Sequence, residues 1–138
     1  MPRLSTLMLR GSLLALLVGG AIGAWLLGAE PWPSPWIVRL RAAHVHLMLF
    51  GWLLPFVMGT AYWMLPKHAA GEPRGSPLAG GVAASLVLGG AAVGALGALA
   101  GTVGVQRGGT LAVILGGATF IGLFWPRIKA FGEGRTTS

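Results

Sequence analysis

Two histidines one residue apart, His44 and His46, open a long apolar run in the stretch "HVHLMLFGW" at 44–52. A polar ring in apolar surroundings is costly unless it is hydrogen-bonded, and an ionisable residue inside such a run is a default candidate for function. The chemistry on offer is that of imidazole, either ligation of a metal or haem iron, or a hydrogen bond. Successive helix residues turn by about 100°, so the two rings point about 200° apart. They cannot easily chelate one metal, and each must have its own task. There is no cysteine, which removes disulfides, thiolate metal sites and thiolate haem ligation.

The side of the helix that carries His44 also carries Arg41, Met48, Gly51, Pro55, Gly59 and Tyr62. Below the histidine this stripe is mostly small. It forms a groove for a flat ligand or another helix, through Gly51, Pro55 and Gly59. Pro55 has no N–H to give the Gly51 carbonyl, so a kink is expected. The side that carries His46 has Phe50, Leu53, Val57 and Met64, which read as packing or lipid contact. His46 itself reads as a hydrogen-bonded histidine near the membrane interface. Of the two, His44 is the candidate for function.

The elements that position these residues follow from composition. Of 138 residues, 54% are hydrophobic and 9% charged, against about 25% charged in soluble domains. The chain therefore reads as an all-α polytopic membrane protein, a single four-helix transmembrane domain. Its apolar stretches at about 7–27, 42–65, 78–103 and 109–125 are near the ~20 residues that span a bilayer. "AEPWPSPW" (29–36) and "PKHAAGEPRGSP" (66–77) separate the spans, and "GVQRGG" (104–109) reads as a tight turn. The net charge of +7 does not point to nucleic acid, because the charges sit at the ends of apolar runs. Arg3, Arg10, Lys67, Arg74, Arg127, Lys129 and Arg135 fall on one side, and Arg39, Arg41 and Arg107 on the other. The positive-inside rule then puts both termini in the cytoplasm, with the second helix running inwards from His44. Trp32 and Trp36 suit the outer interface, Trp63 and Trp125 the inner one. The first span has a basic start and ends in "LLGA", as a signal peptide does, but its removal would leave an odd number of spans. The third span holds Gly90, Gly94, Gly97 and Gly101 in two GxxxG pairs, which suit close helix contact within the bundle or at a dimer seam.

"LRAAHVHLMLFGWLLPFVMGTAYWMLPK" (40–67) resembles the second transmembrane helix of catalytic subunits in the haem–copper oxidase superfamily. The nearer likeness is to the branch with nitric oxide reductases and oxidases with c-type subunits. Leu40, Arg41, His44, Tyr62, Trp63 and Lys67 carry the likeness. "HVHLMLFGW", "GTAYWMLP" and "WPRI" (125–128) are also similar to small four-helix proteins described as subunit-I-like. The resemblance implies that His44 occupies the position that ligates the iron of a low-spin haem b near the outer face. Arg41, on the same face, is placed to pair with a haem propionate or to reach lipid headgroups.

The chain departs from that family in having four spans and three histidines, where the catalytic subunit has about a dozen helices and further ligands. His68 falls in the loop at the opposite membrane side from His44. Met48 is one turn from His44 on the same helix and cannot lie across the same haem. A second axial ligand must therefore come from another polypeptide, and gas reduction by this chain alone is not supported. The expectation is a non-catalytic accessory or assembly subunit of a terminal oxidase or nitric oxide reductase in the cytoplasmic membrane. Its partners would be the bilayer and a respiratory complex or a homo-oligomer. The alternatives are a small b-type haem protein using His44 in electron transport, and a metal-binding sensor or carrier. No P-loop, nucleophile with a base, or pair of carboxylates within a span suggests another class.

Overall fold

The computed structural model describes residues 1–28, 34–64 and 76–128. Expectations resting on Trp32, Lys67, His68, Arg74, Lys129 and Arg135 lie outside the described residues. Four helices long and apolar enough to cross a membrane make up the described chain: α1 (Arg3–Leu27), α2 (Pro35–Met64), α3 (Pro77–Ala100) and α4 (Val103–Phe124). The protein is an all-α four-helix bundle of multi-pass membrane type.

Local chemistry sets the ends. Both α2 and α3 begin with Ser-Pro. The Ser34 hydroxyl accepts from the Ile37 N–H at 3.3 Å, and the Ser76 hydroxyl from the Ala79 N–H at 3.3 Å. In each case proline follows at the first helical position, where its missing N–H costs nothing. Helix α3 ends at Gly101, whose φ of 71° is left-handed. Gly101 N–H donates to the Ala98 carbonyl and Thr102 N–H to the Gly97 carbonyl, which closes the last turn.

That cap corrects one expectation. The turn between the last two helices is Gly101–Thr102, and "GVQRGG" at 104–109 lies within α4. The run's glycines suit a turn as well as a helix. Gly109 is needed for close packing, and Gly104 and Gly108 face open space.

Helix α2 is α-helical to His46, widens to a π-helix over Leu47–Leu53, and is α-helical again over Leu54–Met64. Pro55 explains the widening. It lacks an N–H, and its ring would crowd the carbonyl four residues earlier. A π-segment relieves this by spreading one extra residue over the turns before it.

The helices pack through small residues. Half of the most apolar window of α3 is buried, against 17% in α1, so α3 is the central helix. Its glycines and alanines face α4 and α2. Helix α1 lies along α2 in antiparallel register: Met8 over Gly59, Ala15 over Gly51, and Leu47 with Met48 over Gly19. A core of Met8, Met58, Tyr62, Ala83, Ala84, Val87, Phe120 and Phe124 fills the end away from the histidines, where Phe120 stacks on Phe124 with centroids 4.0 Å apart. Leu13, Leu14, Leu17, Leu111, Ile114 and Leu115 are exposed. Lipid tails are as apolar as these side chains, so the bundle is held by close packing and interhelical hydrogen bonds.

Two features of this packing have measurable consequences. A Cβ at Gly101 would lie 2.7 Å from the Arg39 guanidinium carbon, at a backbone conformation L side chains rarely adopt. Gly101→Ala should lower stability by about 1–2 kcal/mol from the left-handed backbone alone, readable as a lower unfolding midpoint in detergent. Ser5 has the opposite sign. It is fully buried, and its Oγ is the only enclosed side-chain polar atom without a partner among the described residues. Ser5→Ala removes an unsatisfied group and should be neutral or stabilising by up to about 1 kcal/mol.

Candidate functional site

The two histidines leave α2 on opposite sides, and each meets a different neighbour. His44 meets α1. Its Nδ1 lies 2.7 Å from the Gly19 carbonyl oxygen. A carbonyl only accepts, so Nδ1 carries the proton and donates it. The ring lies on Gly23, where a Cβ would be 2.6 Å from Cε1 and 3.4 Å from Nε2. Gly19 and Gly23 thus form a small-residue notch on α1 that admits an imidazole.

His46 meets α3 and α4. It is 6% exposed, the more deeply placed of the two, since His44 is only half-buried. Its Nε2 lies 3.3 Å from the Thr110 hydroxyl. That hydroxyl also donates to the Gln106 carbonyl at 3.0 Å. With its one hydrogen so used, Thr110 accepts from His46, and Nε2 carries the proton. The ring fills the space above Gly94, where a Cβ would collide with Nε2, and stands edge-on to Phe50 at 5.1 Å. Leu53, Val57 and Met64 are exposed, but His46 does not share their lipid-facing position.

The small stripe of α2 is filled from within the chain. A Cβ at Gly51 would meet Ala15 at 2.9 Å, and one at Gly59 would meet Met8 at 3.0 Å. Pro55 is fully buried. The groove read from Gly51, Pro55 and Gly59 is a helix seat occupied by α1. Beside it remains an apolar pocket of about 280 Å³, walled by Ala15, Val18, Leu47, Gly51, Leu88 and Ala91 among others. Gly90 and Gly97 lie against the backbone of α4, Gly94 against His46 and Gly109, and Gly101 against Arg39. Gly90, Gly94 and Gly97 are therefore used in close contact inside the bundle, whereas Gly101 is an exposed cap beyond the helix end.

Arg41 is exposed and borders a second, open pocket of about 370 Å³ with Val38, Ala42, Val45, His46 and Gln106. His44 lines neither of these two pockets. His44 and Arg41, the pair expected to hold a haem, share neither of these two pockets. The structure instead brings Arg41 together with His46. Sequence reasoning missed Thr110, Gln106, Gly19 and Gly23. The spacing of Gly19 and Gly23 was visible, but nothing in it names an imidazole as its occupant. Among the described residues no cluster of three or more acidic, cysteine or histidine side chains forms a metal site.

Comparison with protein-family models, with curated proteins and with solved structures finds no match to this chain. Any functional reading therefore rests on the residues and their arrangement.

Proposed function

We propose that this chain is a non-catalytic accessory or assembly subunit that packs beside a terminal oxidase or nitric oxide reductase in the cytoplasmic membrane, with both termini in the cytoplasm. One observation carries the reading. On the helix that resembles the second span of an oxidase catalytic subunit, His44 ties α2 to the Gly19 carbonyl of α1, a role it has without any cofactor. The exposed leucines of α1 give a face for lipid or a partner's helix, and the seven-to-three division of basic residues in the sequence supports the orientation.

A second reading keeps the haem, because one feature of His44 favours it. A ligating histidine commonly donates its other ring N–H to a carbonyl, which fixes the tautomer and directs the free nitrogen to the metal. The His44 bond to Gly19 does this and leaves the Nε2 lone pair free. A haem there would supply one-electron transfer, and its opposite face would need a ligand from another polypeptide. A metal sensor or carrier is the weakest reading, since the two imidazoles point into different interfaces.

The accessory reading is tested by cross-linking respiring membranes, dissolving them in mild detergent and separating intact complexes on a native gel. Co-migration of this chain with a haem-containing complex is the expected result. Migration only as a monomer or homo-oligomer, in cells expressing such a complex, would overturn it.

A further inference from the structure

The pocket shared by Arg41, Gln106 and His46 is not used by either reading above. It lies between α2 and α4, and its walls divide by chemistry. Val38, Ala42 and Val45 offer an apolar strip on α2, while Arg41 and Gln106 offer donors at its rim. His46, nearly buried, closes the floor, with its Nε2–H committed to Thr110. Around this rim the same end of the bundle carries Arg39 and Arg107, both exposed.

The depth of the pocket also constrains its occupant. Helix α2 has 30 residues, which at 1.5 Å each rise about 45 Å, some 15 Å more than a hydrocarbon core of ~30 Å. With the excess shared between the ends, each end projects about 7 Å beyond the core. Arg41 stands about 9 Å from the start of α2, close to the boundary between headgroups and acyl chains. A snorkelling guanidinium there reaches that boundary, with Val38 one turn further out at headgroup level and Ala42 and Val45 at the depth of the first methylenes.

We propose that this pocket is a binding site for an anionic phospholipid. The phosphate sits against the Arg41 guanidinium, whose planar fork suits a phosphate's paired oxygens. The Gln106 amide supplies a further donor. The upper part of an acyl chain lies along Ala42 and Val45, with Val38 beside the headgroup. The Arg41 charge selects an anionic over a zwitterionic head, and Arg39 and Arg107 add weaker long-range attraction. Basic pockets between transmembrane helices hold such heads through the same two forces.

The test is a titration of the full chain in detergent, read by native mass spectrometry. The probes are phosphatidylglycerol, phosphatidylcholine with the same acyl chains, and inorganic phosphate. The expected result is one tightly held phosphatidylglycerol, bound at least about fivefold more tightly than phosphatidylcholine, the ratio that one cation near the surface supplies. Arg41→Gln should erase most of that ratio, and Gln106→Leu should weaken both lipids alike while leaving the ratio, each without moving the unfolding midpoint. Arg41→Lys should keep part of it, and Arg10→Gln, at the other end of the bundle, should keep all of it. Equal retention of the two lipids, or an unchanged ratio in Arg41→Gln, would overturn the proposal. So would displacement of the lipid by equimolar inorganic phosphate, which would make the pocket a phosphate site.

Discussion

Gly109→Ala is expected to be among the most damaging single-methyl substitutions in this protein. A Cβ at Gly109 would strike the backbone N and Cα of Gly94 and the carbonyl of Gly90. These are backbone atoms of a helix that is itself wedged against His46, so no side-chain rotation relieves the clash. Helix α4 would have to move away from α3, giving up the close approach that holds membrane helices together. A loss of about 3 kcal/mol, the upper part of the usual overpacking range, is expected. The neighbouring Gly108→Ala is the control. A Cβ there meets nothing within 4 Å, and alanine favours a helix over glycine by about 1 kcal/mol. Unfolding in detergent followed by circular dichroism should show the midpoint falling for one variant and unchanged or rising for the other. Equal midpoints for the two would mean that α3 and α4 do not pack in this register.

That contrast shows what the sequence could disclose. The four spans and their membrane character follow from the apolar runs alone. The small residues of α3 signal close contact by their spacing, and Gly90, Gly94 and Gly97 do lie at one. Their partner helix was harder to see, because glycines in "GVQRGG" suggest a turn equally well. The distinguishing sign was helical spacing, with buried Gly109, Val113, Gly116 and Phe120 four, three and four residues apart.

The site was less legible, for a reason specific to α2. A periodicity drawn straight from His46 to Val57 crosses the π-segment at Leu47–Leu53. An extra residue in those turns rotates everything beyond it by about 100°. Phe50, one turn on, still stands against His46, but Leu53 and Val57 do not report its surroundings. The rings' opposite directions were correctly implied, because both stand before the π-segment. Which ring was the more deeply held was not implied, since that depends on Gly94 and Thr110 from distant parts of the chain.

The histidines give the second large effect, and it separates architecture from function. His46→Ala empties the space above Gly94 and removes the partner of Thr110. A buried side chain of this size deleted to alanine costs about 2 kcal/mol or more. His44→Ala loses one interhelical hydrogen bond from a half-buried ring, worth about 1 kcal/mol in a membrane bundle. Stability should therefore rank wild type, then His44→Ala, then His46→Ala. The optical spectrum of protein purified with haem supplied should follow a different order. Under the accessory reading none of the three proteins has a haem band. Under the haem reading the wild type is coloured, His46→Ala keeps its colour while folded, and His44→Ala loses it despite being the more stable variant. That inversion, the more stable protein being the colourless one, cannot arise from unfolding. Its presence would assign His44 to iron, and a colourless wild type would leave His44 as the tie between α1 and α2.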